Sequence, residues 1–496
     1  MTLEIIGHPY AYEMECVARL FYPGARIEIT RETKENNEGR LTTTMERNGE
    51  EVALFAVVRV NGQTYESRDS FTAGADWEWE AQRRLGVLLF EGLCVARGMR
   101  PPWGILTGVR PVNLCRKITK HFGLSEEQLA ATLVEGYRVL PQKSNLAISV
   151  MGAQKAVLKN DSPGSYSLYV NIPFCPTRCS YCSFVSHAVD RAAGLLPDYL
   201  SLLLKELTTL GEVSQQLGLK LRSVYIGGGT PTSLSVEQLR VLLAEIEKSF
   251  PIWGILEYTV EAGRPDCTTK EKLEALKNFG VNRISVNPQT MDDTILRAIG
   301  RGHSSAQTLE SMSAARKVGF ECINMDLIAG LPGQSADSFC DSLDKVMAMR
   351  PENITVHTLT VKRASNLRGT PNAFEKNALT GDMVQFAHSR LGQAGYLPYY
   401  LYRQQGAPSG LENTGYCLPG KEGVYNIYSM EDAHTILAAG AGGVTKLCAP
   451  SGKVERLRNY KYPYEYIAGH ETLLSRKRKI TQFFKKEENL CSPNNF

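Results

Sequence analysis

The sequence predicts an α/β protein: an incomplete barrel of six strand–helix units, flanked by an N-terminal and a C-terminal α+β domain. Three observations point to it. From residue 167 onward, short apolar runs alternate with helical stretches, the pattern of a parallel sheet covered by helices. The runs number six, fewer than the eight that close a full barrel. Each of the first five runs ends in residues a plain scaffold has no use for: a cysteine loop, a glycine triplet or lone polar side chains.

The bulk numbers agree. A chain of 496 residues can bury a core in each of two or three domains. Basic and acidic residues nearly balance, 56 against 52, which excludes the strongly basic footprint of a nucleic-acid binder. Of the 12 cysteines, nine stand singly, which suits a reducing compartment better than a disulfide-stapled secreted domain. No stretch approaches the roughly eighteen apolar residues of a membrane span. Met1-Thr-Leu-Glu lacks the basic start and apolar run of a signal peptide. The expectation is a cytoplasmic protein without a membrane span.

Residues 1–150 form the first domain, with no catalytic constellation in them. Segments 41–47 and 52–60 flank Asn48-Gly49, a hairpin signal, and Asn61-Gly62 turns the chain into 63–70, giving a three-stranded meander. Asp76 is placed to cap a helix through Leu85, Leu88, Leu89 and Leu93. The turn-rich stretch 103–111 reads as a packing loop, with Arg110 a lesser candidate for an anion or a partner domain. Helical segments near 124–138 lead to a linker at 159–164.

The barrel spans residues 165–380, with strands at 167–172, 222–226, 257–261, 282–287, 321–328 and 353–359, and helices such as 196–210, 236–247 and 270–279 between them. Its chemistry belongs at the carboxyl ends of the strands. The first strand ends in Cys175-Pro-Thr-Arg-Cys179-Ser-Tyr-Cys182. Thiolates on one compact loop suit a soft metal centre. Zinc normally takes four ligands in two pairs, and no second pair follows. An iron–sulfur cube normally takes four cysteines. A triad therefore means a missing ligand, an iron left open, or three merely structural cysteines. Gly227-Gly-Gly-Thr-Pro231 follows the second strand and lets backbone approach a small ligand, or simply turns. Glu261 closes the third strand, placed to accept from ribose hydroxyls as acidic residues do in other nucleotide sites. Gln289 and Asp326 are polar groups on apolar strands, each needing a partner against a burial cost of about 1–3 kcal/mol. Arg301 is a candidate partner or a clamp for a carboxylate. An internal Asp326–Arg301 salt bridge is the plain alternative.

Together these motifs resemble the oxygen-independent coproporphyrinogen III oxidase (dehydrogenase) family of radical S-adenosylmethionine (SAM) proteins, in its long variant with an added N-terminal domain. The similarity rests on Tyr169-Val-Asn-Ile-Pro-Phe-Cys175, Gly227-Gly-Gly-Thr-Pro-Thr232, Asn282-Arg-Ile-Ser285, Gly300-Arg-Gly-His303 and Asp326-Leu-Ile-Ala-Gly-Leu-Pro-Gly-Gln334. It implies a radical SAM partial barrel in which Cys175, Cys179 and Cys182 ligate a [4Fe-4S] cluster and leave one iron to SAM. It further implies that Tyr169, Gly228, Gly229, Thr230, Glu261, Gln289, Arg301 and Asp326 line the SAM pocket, with no catalytic side chain beyond cluster and SAM. The implied activity is oxidative decarboxylation of two propionates of coproporphyrinogen III to give protoporphyrinogen IX. A reductant protein is the implied partner. The tetracarboxylate substrate asks for cations at the barrel mouth, with Lys362, Arg363 and Arg403 as candidates.

Two departures bear on the branch. The family's best described oxidases carry a further cysteine where this chain has Phe184, and the heme-chaperone branch has Phe there too. Asn287-Pro288 replaces the glycine usual before Gln289. Residues 381–496 form the C-terminal domain, a helix at 381–394 and a strand at 396–402 before a looser tail that ends in the basic run 476–479, read as a solvated, frayed terminus. The chaperone branch carries a His-Asn-x-x-Tyr-Trp motif for heme. Here the matching stretch is Tyr425-Asn-Ile-Tyr-Ser-Met430, with tyrosine at the histidine position. That difference favours the enzyme over a heme chaperone keeping cluster and SAM.

Overall fold

The computed structural model describes residues 1–496 except 33–38, 163, 183–185, 361–376, 405–409, 433, 450 and 492–496. Phe184, Lys362 and Arg363 lie outside the described residues. The chain divides into two compact units, residues 1–151 with 401–413, and residues 152–400 with 414–496. The division falls inside the helix Pro141–Lys159.

In the first unit a five-stranded sheet forms from β1 (Thr2–Ile6), β2 (Glu28–Thr30), β3 (Arg40–Asn48), β4 (Glu51–Val60) and β5 (Gln63–Thr72), in the order β2-β1-β3-β4-β5. The meander is β3-β4-β5. Its first loop is Gly49-Glu50, one residue later than the Asn-Gly signal, because Asn48 still pairs with Glu51 and Gly49 takes the positive φ of 65°. The second loop is Asn61-Gly62, with φ of 53° and 71°, the geometry that turn demands. Helices Ala11–Phe21 and Trp77–Arg97 cover the sheet around Leu3, Val17, Phe21, Leu54, Leu89 and Phe90. Asp76 stands at the N-terminus of the second helix but makes no side-chain cap; its carboxylate accepts from His121 Nε2 at 2.8 Å instead. The stretch 103–111 is a packing loop around buried Trp103, whose Nε1 donates to Glu412. Arg403, a candidate for substrate, is buried here: its guanidinium donates to Gly410 O and Leu106 O.

The second unit is organised by the six strands read from the sequence: β6 (Ser165–Ile172), β9 (Lys220–Gly228), β10 (Glu257–Glu261), β11 (Arg283–Ser285), β12 (Cys322–Ala329) and β13 (Asn353–Thr358). Two-residue strands β7 (Phe174–Cys175) and β8 (His187–Ala188) form a separate pair. The six run parallel and in sequence order, each beside its predecessor. The sheet does not close. Beyond β13 it gains β15 (Glu412–Cys417), antiparallel, and then β14 (Leu397–Arg403). Beyond β6 it gains β16 (Thr435–Ala439), parallel to β6, then β17 (Val444–Cys448) and β18 (Val454–Arg458). The C-terminal region thus extends the barrel sheet at both edges.

Period-two alternation sorts this sheet into unlike faces. Leu168, Val170, Val224, Ile226, Val260, Ile284, Met325, Leu327 and Val356 belong to one large apolar core shared with the covering helices. The alternate residues are Ser167, Tyr169, Asn171, Ser223, Tyr225, Glu257, Glu261, Arg283, Ser285, Asn324, Asp326, Asn353, Thr355 and His357. Around the amino-terminal half of that polar face the C-terminal segment supplies partners. Val424 N donates to Glu257 Oε2 (2.6 Å), Arg283 and Asn353 donate to Lys421 O (3.3 and 2.8 Å), and His434 meets Ser167 Oγ (2.9 Å).

The basic run near the C-terminus is no frayed tail. Residues 476–478 of it lie on the helix His470–Arg478, and Lys477 is buried, donating to Ala438 O (2.7 Å) and Thr445 Oγ1 (3.0 Å), 3.4 Å from Glu206. Glu206, also buried, accepts from Gly440 N, Asn459 and Tyr466. Glu206→Ala leaves Lys477 without its counter-charge and should cost about 3–5 kcal/mol of stability. Denaturant unfolding checks this, and a loss under about 1 kcal/mol would show the pair dispensable.

Candidate functional site

Six parallel strands present their carboxyl ends together, so the segments leaving them meet. β6 passes through Pro173 into β7, and the cysteine loop follows. None of Cys175, Cys179 and Cys182 is in a disulfide; Cys179 is buried and the others half-buried. The loop is tied down by Ser180 N to Ile299 O (3.0 Å), Cys182 N to Cys179 O (3.2 Å) and Thr177 Oγ1 to Gly300 O (3.2 Å). Thr230 Oγ1 lies 3.5 Å from Cys175 Sγ. Among the described residues no three His, Cys, Asp or Glu side chains converge as one metal ion requires. A cluster instead gives each thiolate its own iron, which suits sulfurs spaced along a loop.

The glycine triplet at the carboxyl end of β9 is packed against the protein's own groups. A Cβ at Gly227 would stand 2.8 Å from the Glu261 carboxyl, one at Gly228 1.4 Å from Asn171 Oδ1, and one at Gly229 2.5 Å from Phe174 O. Gly228 also has φ of 102°, which side-chain-bearing residues avoid. Gly229 N and Thr230 N donate to Ile172 O and Phe174 O at 2.8 and 2.7 Å, fastening the triplet to the chain that leads into the cysteine loop. The glycines thus draw β6, β9 and β10 together at one end.

Next to them is a stack of three tyrosines. Tyr225 and Tyr425 lie 4.4 Å apart, and Tyr169 packs 6.2 and 6.0 Å from them. Tyr225 OH donates to Glu261 Oε1 at 2.6 Å. Burial pushes the Glu261 carboxyl up to about 7, opposed by that hydrogen bond and reinforced by Asp326. Asp326 goes the other way: burial would raise it, but His357, 3.6 Å away, and hydrogen bonds from Asn324 and Thr355 hold it below the usual range.

Arg301 donates to Tyr181 OH (2.9 Å) and Gly263 O (3.3 Å), so the Asp326–Arg301 salt bridge gives way to other partners for both groups. Gln289 is buried and holds φ of 69°, strained for a residue with a Cβ. Hydrogen bonds from its N to Asp326 O and from Ile328 N to its O, both 2.9 Å, keep it there. Pro288 before it has no N–H to offer the sheet, which fits the short β11.

The sequence did not single out Tyr225 or His357 as site residues. Both lie on the polar face, two residues before Gly227 and two after Thr355, so a period-two reading of the strands was the available signal. Among the described residues, the buried atoms near these strand ends that lack a hydrogen-bond partner include Asn171 Oδ1, Ser285 Oγ, Asn287 Oδ1 and Arg301 Nε. Buried polar atoms are rarely left so. With the thiol triad, they fit a site made for a polar ligand beside a cluster.

Comparison with known proteins bears on this geometry. Residues 169–346 match the radical SAM superfamily model. The chain is 35% identical over 95% of its length, and 96% of the relative's, to the oxygen-independent coproporphyrinogen-III oxidase-like protein HemZ of Bacillus subtilis. It is 30% identical over 61% of its length to the heme chaperone HemW of Haemophilus influenzae, covering 76% of that protein. In fold it is similar to the coproporphyrinogen III oxidase HemN of Escherichia coli, a radical SAM enzyme, with TM-score 0.50, 21% identity, and 65% and 73% of the two chains covered.

The raised Glu261 carboxyl can be tested on the protein without added ligand. Difference infrared spectra of wild type against Glu261→Gln should show a carboxyl band that ionises near pH 7. A folded value above the unfolded one means that its stabilisation is present at low pH and is lost as pH rises through about 7, so Glu261→Gln should flatten that decline. A band that ionises near pH 4 would contradict the geometry.

Proposed function

The chain belongs to the radical SAM superfamily and, within it, to the oxygen-independent coproporphyrinogen III oxidase-like proteins, and on that premise we propose that it is a dehydrogenase converting coproporphyrinogen III to protoporphyrinogen IX. Its cofactors are a [4Fe-4S] cluster and SAM. Held by this chain's residues and given an electron, the two would supply the chemistry that removes a hydrogen atom from a propionate, whose carboxylate would then leave as carbon dioxide with one electron passing to an external acceptor, giving a vinyl group. We assign three irons to Cys175, Cys179 and Cys182, and SAM to the pocket of Tyr169, Gly228, Gly229, Thr230, Glu261, Gln289, Arg301 and Asp326.

The residues' part is to bind, orient and exclude water. Tyr225 occupies one oxygen of Glu261, leaving acceptor capacity for ribose hydroxyls. Asp326, held ionised by its neighbours, is a fixed negative charge in the pocket, and Arg301 a fixed positive one. SAM carries both signs. The tyrosine stack shields this ground from water. We place the protein in the cytoplasm with a protein reductant, and among the described residues no helix is long and apolar enough to cross a membrane.

Tyr425 carries the choice of enzyme over heme chaperone. It stands at the position of the chaperone motif's histidine, inside the stack, where burial pushes the phenol well above its ordinary value. A neutral phenol is a poor ligand for iron, whereas a neutral imidazole is a good one. Anaerobic incubation with coproporphyrinogen III and a reductant should yield protoporphyrinogen only when SAM is present, and purified protein should bind heme weakly. Tight one-to-one heme binding without turnover would hand the case to the chaperone.

Two further outcomes test the assignments. Alanine at any of Cys175, Cys179 or Cys182 should abolish the cluster, read as iron and sulfide content, while alanine at Cys267 or Cys448 should leave it. Glu261→Ala should weaken SAM binding by roughly ten- to hundredfold, the loss of a charge-assisted hydrogen bond of about 1.5–3 kcal/mol, with iron content unchanged. Unaltered SAM affinity by calorimetry would remove Glu261 from the pocket.

A further inference from the structure

Beside the cysteine loop lies a buried guanidinium that the assignments above leave unused. Arg264 follows β10, and its residue is only 3% exposed. Its Nε and Nη2 bind Asp266 as a fork, at 2.9 and 2.6 Å. The other edge of the guanidinium faces the cysteine loop. Nη2 donates to Thr177 Oγ1 (3.0 Å), and Nη1 lies 3.3 Å from Thr177 O and 3.7 Å from Cys179 Sγ. A Cβ on Gly302 would stand 2.7 Å from Asp266 Oδ2, so that glycine makes room for the pair. His303, buried alongside, is pushed down to about 4 by burial and by Arg301, so it adds no charge near neutral pH.

We propose that Arg264 is a positioning residue for the cluster: its Nη1 donates to the Cys179 sulfur and raises the reduction potential of the iron centre. Hydrogen bonds to cluster sulfurs withdraw electron density and favour the reduced form. Asp266 balances the charge of Arg264 and fixes the plane of its fork, so the donor is aimed by the carboxylate. Arg264 thereby also decides how strong a reductant the protein needs. A lysine carries charge but not the planar fork, and cannot hold Asp266, Thr177 and Cys179 together.

This proposal rests on Cys179 being a cluster ligand, and the two fail differently. The test is a redox titration of the anaerobically reconstituted protein without SAM, followed by electron paramagnetic resonance, with iron content measured in parallel. Arg264→Gln should keep its four irons and shift the midpoint to a more negative potential, and Arg264→Lys should fall between it and wild type. Full iron with an unchanged midpoint in Arg264→Gln overturns the proposal and leaves the ligand assignment standing. Iron lost from both Arg264 variants, with folding preserved by circular dichroism, also overturns it and makes Arg264 a staple of the loop. Iron retained in Cys179→Ala would overturn the ligand assignment itself.

Discussion

A parallel sheet packed between helices ordinarily buries apolar side chains on both faces. Here one face carries Glu257, Glu261, Arg283, Asp326 and His357, and each such group costs free energy unless it is paired. The chain meets this in two ways. Around the amino-terminal half of the polar face its own C-terminal segment supplies partners, through Lys421 O, Val424 N and His434. Toward the carboxyl ends the pairing is incomplete, with Asn171, Ser285, Asn287 and Arg301 each left with an unpartnered buried atom. In the proposed reading, the ligand completes it.

Pairing also explains the opposite behaviour of the two carboxyls. Glu261 on β10 and Asp326 on β12 lie on one face with β11 between their strands, yet burial wins at Glu261 while His357 and Asn324 win at Asp326. One is poised near neutrality and the other stays charged. The same device operates around the cysteine loop, where Arg264 is matched by Asp266 and Arg301 by Tyr181. Charge near the site is thus set residue by residue, while the whole chain stays close to neutral.

Much of this was legible in the sequence because it is local. The six parallel strands follow from apolar runs of strand length, and the Asn61-Gly62 turn from two residues that tolerate positive φ. What was not legible depends on contacts far apart in the chain. β16 pairs with β6 across more than 260 residues, so the tail could not be seen to extend the barrel sheet. The Lys477–Glu206 pair is equally remote, and composition alone made that helix look like a solvated basic run. Arg403 looked free for substrate because backbone carbonyls leave no trace in a sequence. Tyr225 and His357 are different: the alternation that marks them was present and was masked by the apolar residues between them.

The central claim is that these strand ends hold SAM so that its radical meets a propionate of coproporphyrinogen III. Its most direct test is isotopic. Coproporphyrinogen III deuterated on its propionate carbons is incubated anaerobically with the reconstituted protein, SAM and a reductant, and the 5′-deoxyadenosine formed is analysed by mass spectrometry. The account predicts deuterium in the 5′-deoxyadenosine, in step with protoporphyrinogen formation. Unlabelled 5′-deoxyadenosine, or none above the level without substrate, would contradict it.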